Sequence, residues 1–242
     1  MKLLVINPNT TASMTEKIGA AARSVAARGT EVEAVNPSMG PVSIEGFYDE
    51  ALCLPGLVTE VAAGERRGAE AIIVACFDDP GIDAARSIAS VPVIGICEAA
   101  MRMASLLGHR FTIVTTLPVS LPAMDGLIHR YGMADRGRAR AAGVPVLALE
   151  DPTSGAVGRV RAEIRRAVTE DRAECIVLGC AGMADLARDL TEEMGLPVID
   201  GVAAAVKLAE AVVGLGLRTS KVGGYARPAA KPYTGMLAAF SP

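Results

Sequence analysis

Two stretches of this chain repeat one pattern, and the repetition limits its architecture more than any other feature. Ala69-Glu70-Ala71-Ile72-Ile73-Val74-Ala75-Cys76 and Ala173-Glu174-Cys175-Ile176-Val177-Leu178-Gly179-Cys180 are short apolar runs, each closing on a cysteine. Runs of that length, rich in β-branched residues, are too brief for a helix and read as buried strands. Beyond Cys76 come Phe77-Asp78-Asp79-Pro80-Gly81 and then Ala84-Ala85-Arg86 at helical spacing. Beyond Cys180 come Ala181-Gly182-Met183-Ala184-Asp185 and then Leu186-Ala187-Arg188. Each unit ends on a second strand opened by proline, Pro92-Val93-Ile94 and Pro197-Val198-Ile199. A unit repeated about one hundred residues apart puts two thiols at equivalent strand ends. If the two halves face each other, the thiols flank one cleft.

The remaining chain alternates in the same way. Strands are expected at Leu3–Ile6, Glu31–Asn36, Arg110–Thr115 and Val144–Leu149. Helices are expected over 12–28, 48–67, 97–107, 119–131, 154–170 and 201–215. Thr10 or Thr11 serves as the first N-cap, Pro8 bars an earlier start, and Gly29 ends that helix. Pro37 to Phe47 is a loop long enough to suggest binding. Ala134 to Gly143, with Arg136, Arg138 and Arg140, reads as a solvated connection, and a Gly/Pro-rich tail begins at Arg218. The class is therefore α/β with mainly parallel sheets. Such sheets bind ligands outside the carboxyl ends of their strands, where Asn7, Cys76, Thr116 and Cys180 fall.

Composition excludes several functions. A hydrophobic share of 51% over 242 residues is enough for a large core. The net charge of −3 leaves no basic footprint for nucleic acid, and the Arg-rich stretch lacks interleaved aromatics. Five cysteines without framework spacing suit a reducing, cytoplasmic compartment. Met1 to Ile6 stops at Asn7-Pro8, too short for a signal peptide, and no apolar run reaches membrane-spanning length. No C-x-x-C, G-x-G-x-x-G or P-loop occurs, and two histidines give little for an imidazole metal site. His109 reads as a helix C-terminal residue and His129 as a surface one. Asp78-Asp79, just before Pro80-Gly81, reads as turn and helix-cap residues. No metal and no cofactor is expected.

Cys76 and Cys180 carry the chemistry that remains. A thiol between a strand end and a helix sits near the positive end of the helix dipole, which predicts a lowered pKa. One thiolate on one face of a substrate carbon can take a proton while a thiol on the other face returns one. The result is inversion at an acidic carbon without a cofactor. Cys53, Cys97 and Cys175 read as small core residues.

The residues that surround the two thiols resemble the hydantoin and allantoin racemases of the aspartate/glutamate racemase superfamily. The resemblance is carried by Asn7-Pro8-Asn9-Thr10-Thr11, Gly40-Pro41-Val42-Ser43-Ile44-Glu45, Ala75-Cys76-Phe77-Asp78-Asp79-Pro80-Gly81, Pro92-Val93-Ile94-Gly95-Ile96-Cys97-Glu98-Ala99, Thr115-Thr116-Leu117 and Leu178-Gly179-Cys180-Ala181-Gly182-Met183. It implies two pseudo-symmetric lobes, with residues 1–96 plus 205–242 in one and 97–204 in the other, and the active site between them. It implies Cys76 and Cys180 as the acid/base pair, and a substrate pocket drawn from Asn7, Asn9, Ser43, Ile44, Phe77, Asp78, Thr116, Ala181 and Gly182. The expected substrate is a small cyclic ureide or imide, a 5-monosubstituted hydantoin or allantoin. No nucleic-acid or membrane partner is expected, and a homo-oligomer is. The alternatives on the same scaffold are an amino-acid racemase, a maleate isomerase or an arylmalonate decarboxylase. Glutamate racemases resemble Cys-Asn-Thr and Cys-Thr-His at the two thiols, where this chain has Cys76-Phe77-Asp78 and Cys180-Ala181-Gly182. The groups that would hold an α-carboxylate are missing, which favours a neutral ring.

Overall fold

A computed structural model describes all residues, 1–242. The first half contains β1 (Lys2–Ile6), α1 (Ala12–Val25), β2 (Glu31–Val35), α2 (Phe47–Arg66), β3 (Ala71–Val74), α3 (Ile82–Ile88) and β4 (Val93–Gly95). The second contains α4 (Ile96–Leu107), β5 (Phe111–Thr115), α5 (Leu121–Arg130), β6 (Gly137–Ala141), α6 (Ala156–Glu170), β7 (Cys175–Gly179), α7 (Ala187–Met194), β8 (Val198–Asp200) and α8 (Gly201–Gly214). The strands form two parallel four-stranded sheets of identical order, β2-β1-β3-β4 and β6-β5-β7-β8.

Strand alternation explains how the sheets are covered. In β1, Leu4 and Ile6 point to one face and pack with Leu57 and Val61 of α2 and Ile82 and Ala85 of α3. Leu3 and Val5 point to the other face, toward α1 and α8. In β7, Ile176 and Leu178 meet Val160 and Ile164 of α6, whereas Cys175 and Val177 face the inner layer. That inner layer, built on α4 and α8, is one apolar core shared by both sheets. Successive strand residues take opposite faces, so both faces must be apolar, and the strands read as continuous hydrophobic runs.

Two expectations fail in the middle of the chain. The Arg-rich stretch contains edge strand β6, paired with β5 from Phe111↔Gly137 to Thr115↔Ala141. Its Arg140 is not solvated but ion-paired to Glu163, Glu170 and Asp171 at 2.6–2.8 Å. An edge position tolerates this strand's alternating arginines because one face is open to charged partners. The expected strand at Val144–Leu149 is instead a 3-10 helix over Val146–Glu150. Gly143 in the left-handed region and Pro145 in front of it break the extended run. Smaller differences concern ends. The first helix stops at Val25 rather than Arg28. Thr11 occupies its N-cap without a side-chain cap bond, because its hydroxyl donates to the Val42 carbonyl at 2.6 Å.

Candidate active site

Both sheets reverse their winding direction at the same place in their order, between β1 and β3 and between β5 and β7. Crevices in open α/β sheets form outside the carboxyl ends at such points. Asn7 and Cys76 follow β1 and β3; Thr116 and Cys180 follow β5 and β7. These four positions meet in one cleft. Of the expected pocket residues, Asn7, Asn9, Ile44, Phe77, Asp78, Thr116 and Ala181 line it together with both cysteines. Ser43 and Gly182 do not.

The cleft is closed by the loop between β2 and α2. Thr10 and Thr11 hold that loop through the Pro41 and Val42 carbonyls. Its far end reaches the second half, where the Val146 N–H donates to Glu45 Oε1 at 2.8 Å. Ile44 thereby closes over the cleft at 7% exposure.

Asn7 and Asn9 spend most of their polar groups within the protein. Asn7 Nδ2 donates to Asn9 Oδ1 at 2.8 Å and to Thr15 Oγ1 at 3.0 Å, and Asn9 Oδ1 also accepts from the Thr11 N–H. This network fixes the loop after β1, so the two side chains shape the wall. By contrast, no hydrogen bond within the protein involves the side chains of Asp78, Thr116 or Ser120. Each residue is buried and lines the cleft, and none of these polar atoms is sealed from it.

The two thiols are not activated as the sequence suggested. Burial pushes Cys76 well above the usual thiol range, and the Asp78 charge pushes it further. Burial pushes Cys180 up to about 11. The helix-dipole argument fails for a geometric reason. α3 begins only at Ile82, and a 3-10 turn over Ala181–Leu186 separates Cys180 from α7. A dipole effect fades within the first turn. What favours each thiolate is local instead: the Asp78 N–H donates to the Cys76 sulfur, and the Gly182 N–H to that of Cys180. Gly182 therefore acts on the site through its backbone, without lining the cleft. Lys17 adds a favourable charge to Cys180 alone. Both cysteines keep some surface open to the cleft, while the sulfurs lie deep enough for desolvation to dominate.

Asp79 caps a helix, but not the one that follows it. Its carboxylate accepts from the Cys97 and Glu98 N–H groups at the start of α4, and from the Tyr131 hydroxyl at 2.7 Å. Gly95 permits this approach, since a Cβ there would lie 2.3 Å from the Asp79 carboxyl. Cys53, Cys97 and Cys175 are fully buried. His109 and His129 are exposed and absent from the cleft, and His109 lies past the end of α4 rather than within its last turn.

The cleft also uses Met14, Ala75, Thr115, Ser120, Val146 and Gly179. Thr115 and Gly179 are legible only from register: they are paired across β5 and β7, with Thr115 Oγ1 donating to the Gly179 carbonyl. Val146 lies in the 3-10 turn that replaces the expected strand, and Ser120 in a 3-10 turn over Pro118–Ser120 that looks from sequence like the start of α5. Met14 has the helical spacing of a core residue.

Residues 3–209 match the Asp/Glu/Hydantoin racemase family. The chain belongs to this family. It is 48% identical over 242 residues to a hydantoin racemase of Pseudomonas sp. (strain NS671), with 99% of this chain and 97% of that protein covered. It is 49% identical to a hydantoin racemase of Rhizobium meliloti, with 97% and 98% covered. The structure superposes on an allantoin racemase from Klebsiella pneumoniae with a TM-score of 0.97 at 49% identity, covering 100% of this chain and 99% of that one. These similarities make the chain an isomerase of the racemase type, acting on a small molecule. No helix is long and apolar enough to cross a membrane.

Proposed function

We propose that this racemase inverts C5 of 5-monosubstituted hydantoins, allantoin included, with Cys76 and Cys180 as paired acid and base. The observation that carries the reading is the make-up of the cleft wall: two thiols from equivalent strand ends, one carboxyl, and no Lys, Arg or His. An amino-acid substrate would bring its own carboxylate beside Asp78 with no cation in the lining to receive it. Burying such a charge without partners costs several kcal/mol. A neutral ring carries no such cost, and its carbonyls can accept from the Phe77 N–H, which makes no backbone hydrogen bond.

In this mechanism a thiolate on one face removes the C5 proton. The electron pair moves into the adjacent carbonyl, leaving an enolate. The thiol on the other face then delivers its proton to C5, and the pair returns to carbon. One sulfur ends protonated and the other ionised, so the opposite enantiomer uses them in exchanged roles. Buried thiols with raised pKa values lie closer to the acidity of such a carbon, which favours transfer in both directions. The relatives named for hydantoin and for allantoin support the ring class equally. Polarimetry on single enantiomers of 5-alkyl- and 5-arylhydantoins, allantoin, aspartate and glutamate tests the proposal. Loss of rotation is expected for ring compounds only; racemisation of glutamate alone would overturn it.

A further inference from the structure

Asp78 is the one ionisable side chain of the cleft wall besides the two thiols. It lies two residues past Cys76 and is 8% exposed, and its carboxyl, open to the cleft, accepts no hydrogen bond inside the protein. Building on the racemase reading, we propose that Asp78 works as a neutral carboxylic acid. Its protonation lets a thiolate form on Cys76 or Cys180, and its O–H donates to the carbonyl oxygen that becomes negative as the ring carbon is deprotonated.

The surroundings of the carboxyl support this role. The charged groups that act on it are both acidic: Glu50 on the first turn of α2 and Asp79 beside it. No cation lines the cleft, and Lys17 acts on Cys180 rather than on Asp78. Burial first, then Glu50 and Asp79, raise the carboxyl to about 7. In turn its charge raises Cys76, Cys180, Cys53 and Cys97. A desolvated cleft accepts one negative charge far more readily than two. When the charge resides on a sulfur, the carboxyl holds a proton. Charge then passes from that sulfur through the enolate to the other sulfur, while Asp78 stays neutral throughout. A carboxylic acid kept neutral by an apolar site and donating to a developing oxyanion is established enzyme chemistry.

Asp78→Asn keeps the shape and a neutral donor, whereas Asp78→Leu keeps the bulk without the donor. With allantoin as substrate, wild-type kcat/KM should rise with pH and level near 7, where Asp78 ionises. The Asn variant should stay within about tenfold of wild type below that point and keep rising above it. The Leu variant, which also lacks the charge, should follow the Asn profile about 10²-fold lower at every pH. Glu50→Gln, outside the cleft wall, should move the levelling point to lower pH, because Glu50 raises the Asp78 pKa. An Asn variant as slow as Leu throughout would show that the carboxylate is required, and would overturn the proposal. So would an Asn profile that levels at the wild-type pH. A second arm uses no ring substrate: iodoacetamide alkylation of Cys76 and Cys180, read by peptide mass spectrometry. The Asn variant should react severalfold faster than wild type at pH 9 and at the same rate at pH 6. Equal rates at pH 9 would overturn the coupling. A chain that racemised no hydantoin would overturn the proposed function, while the alkylation arm would still decide whether Asp78 governs the thiols.

Discussion

Cys76 and Cys180 follow equivalent strands, β3 and β7, in sheets of identical order, yet their surroundings differ. The loop after Cys76 brings Asp78 and Asp79, with Glu50 behind them. The turn after Cys180 is Ala181-Gly182-Met183, without a charge, and Lys17 of α1 helps its thiolate. The backbone supplies the same aid on both sides, one N–H from the second residue past each cysteine. The repeated fold thus fixes where the sulfurs are, and the non-repeated side chains decide how hard each is to ionise. An acid/base pair must reach opposite protonation states at once, and unequal surroundings are compatible with that as long as one charge is shared.

The halves also cap their inner helices differently. α8 is capped by Asp200, the last residue of β8, which accepts from the Val202 and Ala203 N–H groups. The equivalent place before α4 is Gly95, and the carboxylate comes instead from Asp79 in the cysteine loop. The first cysteine loop is therefore tied to the start of α4 and to Tyr131, whereas the second is not tied in this way.

The largest expected effect tests whether both halves are needed. Cys76→Ala and Cys180→Ala should each lower racemisation by at least ~10⁴-fold, since each removes the only acid/base group on one face. A Cys180→Ala enzyme with a tenth of wild-type activity would reduce the pair to a single functional thiol. Next comes the capping asymmetry. Asp79→Ala leaves two helix N–H groups and the Tyr131 hydroxyl unpaired in the interior and should cost about 3 kcal/mol in urea unfolding. Asp200→Ala removes a cap of the ordinary kind and should cost about 1 kcal/mol. Equal losses would erase the distinction. The smallest effect concerns Lys17. Lys17→Met removes the charge that favours the Cys180 thiolate, so alkylation of Cys180 at pH 8 should slow about two- to fivefold, with Cys76 unchanged. Equal slowing of both would place Lys17 in a general field rather than beside one sulfur.

Much of this was legible in the sequence because it depends on local pattern. Apolar runs closing on cysteine, each followed by a proline-opened strand, marked the duplication, the parallel sheets and the strand ends that meet in the cleft. Edge strand β6 escaped because its arginines alternate with small residues, and its pairing depends on Glu163, Glu170 and Asp171 from α6 and beyond it. Thiol acidity is not legible in the local sequence, because desolvation is set by the closed cleft and the distance from each sulfur to its helix depends on an irregular turn. The partners of Asp79 lie 18 and 19 residues away across Gly95 and cannot be read from the Asp-Asp-Pro-Gly turn.

The central claim is that two thiols in one cation-free cleft move a proton on and off a neutral ring. Proton NMR in D₂O tests it most directly, starting from single enantiomers of allantoin and of a 5-alkylhydantoin, with aspartate and glutamate in parallel. The account predicts enzyme-dependent loss of the C5 proton signal together with loss of optical rotation, and no exchange at the α-carbon of either amino acid. Exchange at the amino-acid α-carbon with the ring compounds untouched would contradict it.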